Sequence, residues 1–159
     1  MQASQKIQSV LFVCLGNICR SPLAEGFAQA AMNALPSGSN CRFDSAALGD
    51  WHIGKAPDKR ARIAAAHHRV DLSSQRARQI QQGDFSRFDL ILGMDAVTTQ
   101  DLEHMAPTGG GAQVALYLDF AGKGRCDVPD PYYGDQSDFD AVAIMLHAAT
   151  ASIMDVLAD

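Results

Sequence analysis

The sequence predicts an α/β fold: a three-layer sandwich in which a four-stranded parallel sheet carries helices on both faces. Three observations lead there. Short apolar runs without alternation, strongest at Val10–Leu15 and Phe88–Met94, read as strands covered on both sides. Stretches with apolar residues at helical spacing separate such runs, and alternation of strand and helix is the pattern of a parallel sheet. The chain has 159 residues, enough for one well-shielded core and too few for two, so a single domain over 1–159 is expected, ordered from about 8 to 157.

From Pro22 onward Leu23, Phe27, Ala30, Ala31 and Ala34 recur at helical spacing, with proline in the favoured first turn and Pro36, Ser37 and Gly38 ending the run. Cys41–Leu48 reads as a second strand, and the glycines and proline of Gly49–Pro57 make a loop. A helix is expected from near Asp58 to about His68, with Ile63, Ala64 and Ala66 among its inward residues. After the Phe88–Met94 strand, Asp95 is a good cap for a helix through about Met105, and Val114–Leu118 supplies the fourth strand. Asp119–Ser137 holds glycines, two prolines and clustered aspartates, and a loop of that length in a small domain usually carries function. Val142, Met145, Leu146, Ala149, Ile153 and Val156 mark an amphipathic terminal helix.

A formal net charge of −5 offers no basic face for a nucleic-acid backbone, and none is expected as a partner. The polar N-terminus and the short apolar run after it are too brief for a signal-peptide core or a membrane span, so a cytoplasmic protein without membrane insertion is expected. The four cysteines, at 14, 19, 41 and 126, lack the paired short spacings of a zinc site or a disulfide framework. They should be thiols, with Cys41 and Cys126 structural or incidental, and no metal or cofactor is implied.

The stretch Cys14-Leu15-Gly16-Asn17-Ile18-Cys19-Arg20-Ser21 lies between the first strand and the first helix. Such a turn aims successive backbone N–H groups and the positive helix end at one point, which attracts an anion. Gly16 relieves crowding, Asn17 tolerates a left-handed backbone, and Arg20 can return to grip two oxygens of a tetrahedral oxyanion. The same field favours the nucleophilic thiolate of Cys14, to which Ser21 can donate a hydrogen bond. Taken one at a time, these residues also fit a buried thiol, a surface arginine and a helix cap; their joint spacing favours an anion site.

With Val13 before it and Pro22 after it, this stretch closely resembles the signature loop of the low-molecular-weight protein tyrosine phosphatases. The resemblance implies the fold of that family. It also implies hydrolysis of aryl phosphate monoesters on a tyrosine-phosphorylated protein through a phosphocysteine, without a metal, with inorganic phosphate as product. Cys14 and Arg20 would be catalytic, and Leu15, Gly16, Asn17, Ile18, Cys19 and Ser21 would bind the phosphate.

Leaving-group departure needs a proton, and the long loop offers Asp127, Asp130 and Asp135. Asp130 stands between Pro129 and Pro131, which hold the backbone extended, although the same residues also suit a Pro-Gly turn. Asp130-Pro131-Tyr132-Tyr133-Gly134 resembles the family's segment near its C-terminus, which implies Asp130 as general acid and Tyr132, Tyr133 and Trp51 as walls of an aromatic pocket. The resemblance also implies that Cys19 protects an oxidised Cys14 as a disulfide; a small side chain packed under the loop fits as well. Two departures bear on the support of the loop: Ser45-Ala46-Ala47-Leu48 where the family often has Ser-Ala-Gly-Thr, and Gln75 where some members carry a histidine.

Competing readings are an arsenate reductase, a non-catalytic phosphate or phosphopeptide binding module, and a phosphocysteine carrier. Residues 42 to 125 contain no cysteine to relay oxidation, which disfavours the first. A binding module needs neither the thiolate nor the acid, and a carrier must avoid the hydrolysis that Asp130 would promote. A monomer is expected, with weak self-association left open.

Overall fold

The computed structural model describes residues 6–36 and 40–158. Its elements run β1 (Ser9–Cys14), α1 (Arg20–Asn33), β2 (Arg42–Ala47), α2 (Lys59–Ala66), α3 (Asp84–Arg87), β3 (Leu90–Gly93), α4 (Ala96–Met105), β4 (Gln113–Leu116), α5 (Tyr117–Phe120) and α6 (Gln136–Ala158). The strands form one parallel sheet in the order β2-β1-β3-β4, the fold class read from the sequence. Ser37 and Gly38, expected to end the first helix, lie outside the described residues.

Every residue of β1 is buried, because side chains alternate between two covered faces. Val10, Phe12 and Cys14 point into the larger apolar cluster, with Leu23 and Phe27 of α1 and Leu146 and Ile153 of α6. Leu11 and Val13 point the other way, against Phe85 of α3 and Leu102 of α4. That parity places the thiol of Cys14 on the α1 side. Chain order reverses between β1 and β3, since β1 continues to β2 on one side and β3 to β4 on the other. In a parallel sheet the crevice beyond the strand ends at this switch point is where ligands bind, and Cys14 and Asp95 both emerge there.

Capping follows the sequence closely. Asp58 accepts from the backbone N–H of Arg60 at the start of α2, and Asp95 from that of Thr98 at the start of α4. Facing was read less well. Ala30 of α1 and Ala34 just past its end, Ile63 and Ala66 of α2, and Met145 and Val156 of α6 are exposed, and Ala31 is only half-buried. The cause is that α2 meets α6 through small side chains, Ala61, Ala64 and Ala65, so the bulkier Ile63 is turned outward. In α1 and α6 the covered stripe is narrower than the apolar one.

The fourth strand stops at Leu116 and the chain turns into α5, which carries Tyr117 and Leu118 into the core. The short α3 was not foreseen; it is held by Asp84, which takes two hydrogen bonds from the Arg78 guanidinium and one from the backbone of Gln81. By length and hydropathy α6 could cross a membrane, but its apolar stripe is the core helix that packs on α1 and α2. Leu23→Ala should lower stability by about 2–5 kcal/mol in urea unfolding, whereas Ile63→Ala should change it by less than about 0.5 kcal/mol.

Candidate active site

Between the end of β1 and the start of α1 the chain curls around the Cys14 sulfur. Asn17 sits in the left-handed region at φ 56°, as its residue type allows. Gly16 does not adopt a positive φ; a Cβ there would lie 3.0 Å from the His52 ring, which would have to shift by a few tenths of an ångström. The Asn17 amide points at Cys14 Sγ at 3.3 Å. Among the described residues the amides of Leu15, Gly16, Ile18, Cys19 and Arg20 have no protein acceptor, which leaves a row of donors at the positive end of α1.

Arg20 is only 3% exposed. Its Nη1 donates to Asp95 Oδ2 at 2.7 Å and to the Val128 carbonyl at 2.9 Å, and its Nη2 lies 3.7 Å from Asp130 Oδ2. Burial works against its charge, but the facing Cys14, Asp95 and Asp130 more than offset this and raise its pKa. Asp95 does two jobs with two oxygens: Oδ1 caps α4 and Oδ2 aims the guanidinium. Burial disfavours its charge too, yet the hydrogen bonds from Thr98 and Arg20 hold its carboxyl below the usual range.

Three aspartates of the long loop were candidates for the acid, and the structure separates them. Asp127 accepts from the amide of Ala96 at the start of α4, and Asp135 from Ser137 and Asp138 at the start of α6. Asp130 alone of the three faces Arg20 and lines the cleft with Cys14. Its loop is pinned at two points. The Val128 amide donates to the Met94 carbonyl at the end of β3, and Arg60 donates to the carbonyls of Tyr132 and Gly134 while lying over the Phe139 ring at 4.3 Å.

The cleft encloses about 360 Å³ and is lined by Cys14, Leu15, Gly16, Ile18, Cys19, Arg20, Trp51, His52, Asp130, Tyr132 and Tyr133. Trp51, 62% exposed, stands at its mouth; its ring lies over Gly49, where any Cβ would collide. Tyr133 is 93% exposed and packs edge-on against Tyr132 at 5.0 Å. Asn17 and Ser21 do not line the cleft. They are buried behind the loop, where Ser21 Oγ lies 3.0 Å from Cys14 Sγ and Asn17 Nδ2 donates to Ser21 and to Ser45. Burial, with the charges of Cys14, Asp58 and Asp130 behind it, pushes the pKa of the Cys19 thiol far up, so Cys19 is a neutral thiol.

Sequence reasoning missed His52, Asp95, Arg60 and the pair Ser45 and Glu25 as parts of this region. His52 adjoins Trp51 in a loop already noted, and Asp95 had been read as a cap only. For Arg60 and Glu25 nothing in the local pattern distinguishes them from surface charges. Gln75, where a supporting histidine was considered, donates to the Pro22 carbonyl and has no bond to the Asn17 and Ser45 pair. Asp95→Asn should weaken binding of inorganic phosphate about tenfold, measured by calorimetry, because the charged partner that aims Arg20 is lost.

The chain matches the family described as low molecular weight phosphotyrosine protein phosphatase over residues 9–159. It is 40% identical over 142 residues to such a protein from Sus scrofa, covering 88% of this chain and 89% of that one. It is also 40% identical over 149 residues to a low molecular weight protein-tyrosine-phosphatase from Streptomyces coelicolor, with 91% and 90% covered. A protein tyrosine phosphatase from Entamoeba histolytica, solved with Hepes in its active site, superposes with a TM-score of 0.87 at 30% identity, covering 94% of this chain and 96% of that one. A Vibrio vulnificus structure in complex with benzylphosphonate superposes with a TM-score of 0.80 at 27% identity, over 94% and 99%. A thiol, a buried guanidinium and a carboxylate brought to one crevice by this fold, together with these matches, place the chain in the low molecular weight phosphotyrosine protein phosphatase family.

Proposed function

We propose that the protein hydrolyses phosphotyrosine in proteins through a phosphocysteine formed on Cys14. The observation that carries this reading is the meeting of Cys14, Arg20 and Asp130 in one cleft with aromatic walls, although Asp130 comes from a separate loop. The Vibrio relative holds benzylphosphonate, whose ring next to a tetrahedral phosphorus has the shape that Trp51 and Tyr132 would receive here.

In the first step the Cys14 thiolate attacks phosphorus in line. The S–P bond forms as the P–O bond to the phenol breaks, and Asp130 passes its proton to the departing oxygen. The loop amides and Arg20 hold the three equatorial oxygens, on which the charge of the transition state sits. In the second step Asp130 takes a proton from water, the water oxygen attacks phosphorus, and the S–P bond breaks to release inorganic phosphate. Ser21, within 3.0 Å of the sulfur, donates to it as it leaves.

Cys19 is the candidate partner for an oxidised Cys14. Peroxide converts the Cys14 thiolate to a sulfenic acid, and condensation with the Cys19 thiol gives a disulfide and water, which a reducing thiol reverses. The chain works as a single cytoplasmic domain and a monomer, acting on protein substrates without a metal or cofactor.

Hydrolysis of a chromogenic aryl phosphate should proceed in the presence of a chelator, be inhibited by vanadate, and exceed hydrolysis of phosphoserine. Cys14→Ser should leave essentially no activity, and Asp130→Ala should lower kcat by about 10²- to 10⁴-fold. Metal dependence, or full activity in Cys14→Ser, would sink the reading. After a peroxide pulse followed by dithiothreitol, the Cys19→Ser protein should recover far less activity than the unmodified protein.

A further inference from the structure

One side-chain pair outside the reaction steps joins the loop around Cys14 to the loop of Asp130: Asp58 and Arg60, at the start of α2. The backbone N–H of Asp58 donates to the Ile18 carbonyl at 2.8 Å, which ties Asp58 to the anion loop. Its carboxylate grips the Arg60 guanidinium with both oxygens, Oδ1 accepting from Nε and Oδ2 from Nη2, each at 3.0 Å. Two more hydrogens of the guanidinium go to the acid loop: Nη1 donates to the Gly134 carbonyl at 2.9 Å and Nη2 to the Tyr132 carbonyl at 3.1 Å. Tyr132 in turn donates its backbone N–H to Asp130 Oδ1 at 3.1 Å. Among the described residues that amide is the only hydrogen bond to the Asp130 carboxylate, since Arg20 stands farther off at 3.7 Å. A row of bonds thus runs from Ile18 through Asp58, Arg60 and Tyr132 to the acid.

We propose that Arg60, held by Asp58, is a positioning residue for the proton transfer: through Tyr132 it sets where the Asp130 carboxyl stands relative to the bond that breaks. The inference rests on the phosphatase reading above. Asp130 is bracketed along the chain. Two residues before it, Val128 donates to Met94 and accepts from Arg20; after it, Arg60 holds Tyr132 and Gly134. The guanidinium is itself fixed, lying 4.3 Å over the ring of Phe139, a fully buried residue of α6, while the Arg60 carbonyl accepts from Gln136. Burial disfavours the Asp58 charge, but the bonds from Arg60 hold its carboxyl below the usual range, so the pair is ionised at neutral pH. An ion pair near the surface stabilises a fold little; what this one adds is the placement of two carbonyls of the acid loop. A lysine could supply the charge, but not donors to three partners in one plane.

The test measures kcat/KM, which reports the step that forms the phosphocysteine, for the unmodified protein, Arg60→Gln, Asp130→Ala and the double variant. Two esters are compared: phenyl phosphate, whose leaving oxygen needs the proton, and para-nitrophenyl phosphate, whose phenolate departs with far less help. Arg60→Gln should lower kcat/KM for phenyl phosphate about ten- to a hundredfold, with a much smaller loss on the nitrophenyl ester. Inhibition by inorganic phosphate, which meets the anion loop and needs no acid, should be unchanged, and it also shows that the variant is folded. Added to Asp130→Ala, Arg60→Gln should cause no further loss on phenyl phosphate, because it acts through an acid already removed. Asp58→Asn, which keeps a cap on α2 but loses the charged fork, should shift the ratio of the two esters the same way and less, and it carries the test if Arg60→Gln does not fold. Losses of equal size on both esters, a further loss in the double variant, or weakened inhibition by phosphate overturn the proposal while leaving the aryl phosphatase activity of the unmodified protein intact. Absence of that activity in the unmodified protein overturns the functional reading instead.

Discussion

The site is organised around one buried cation. A guanidinium taken almost entirely out of water costs several kcal/mol unless its donors and charge are met, and at Arg20 the protein meets them from three parts of the chain. Asp95 comes from the end of β3, the Val128 carbonyl and Asp130 from the loop before α6, and Cys14 from the end of β1. Satisfying Arg20 therefore assembles the site. The strand order brings β1 and β3 side by side so that Cys14 and Asp95 flank the same crevice, and the bond from Arg20 to Val128 draws the distant loop across its top.

Two systems act on the loop between β1 and α1. In front, free amides and the Arg20 fork present donors to an anion. Behind, Asn17 is held at both ends of its amide group, by the backbone of Arg78 and by two serine hydroxyls, which locks the left-handed turn that the front face requires. Gln75 takes no part in this, since it turns to the Pro22 carbonyl. Support for Ser45 comes from Glu25, one turn into α1, so the helix that supplies its dipole to the anion also supplies an acid to the back of the loop.

The acid loop is built on the same economy. Its three aspartates look equivalent as letters, and each accepts from a nearby backbone amide, Asp127 at the start of α4, Asp135 at the start of α6 and Asp130 from Tyr132; what separates them is place. Only Asp130, with prolines on both sides, is left facing the cleft. Arg60 ties this loop to α2 through two carbonyls, and α2 in turn packs on α6.

Much of this was legible in the residue order. Local rules hold wherever the cause is local: the unalternating runs of β1 and β3, the helix start near Asp58, the cap at Asp95, the left-handed Asn17, and the strand-to-helix turn that collects amides on one point. Side-chain facing on Ala-rich helices was not legible, since alanine suits either side and only contact with α6 decides that Ala61, Ala64 and Ala65 go in while Ile63 stays out. By itself the sequence determined the parallel α/β class and the strand-to-helix turn with a cysteine and an arginine in it, because these follow from spacing along a few turns of chain. The family resemblance already implied Asp130 among the loop's aspartates; only the tertiary structure decided that it faces Arg20, that Asp95 aims that arginine, that Asn17 and Ser21 stand behind the cleft, and that Glu25 ends their hydrogen-bond row. Those pairings join residues up to 110 positions apart, and burial and hydrogen-bond satisfaction select among chemically equal candidates only once the sheet has set their distances.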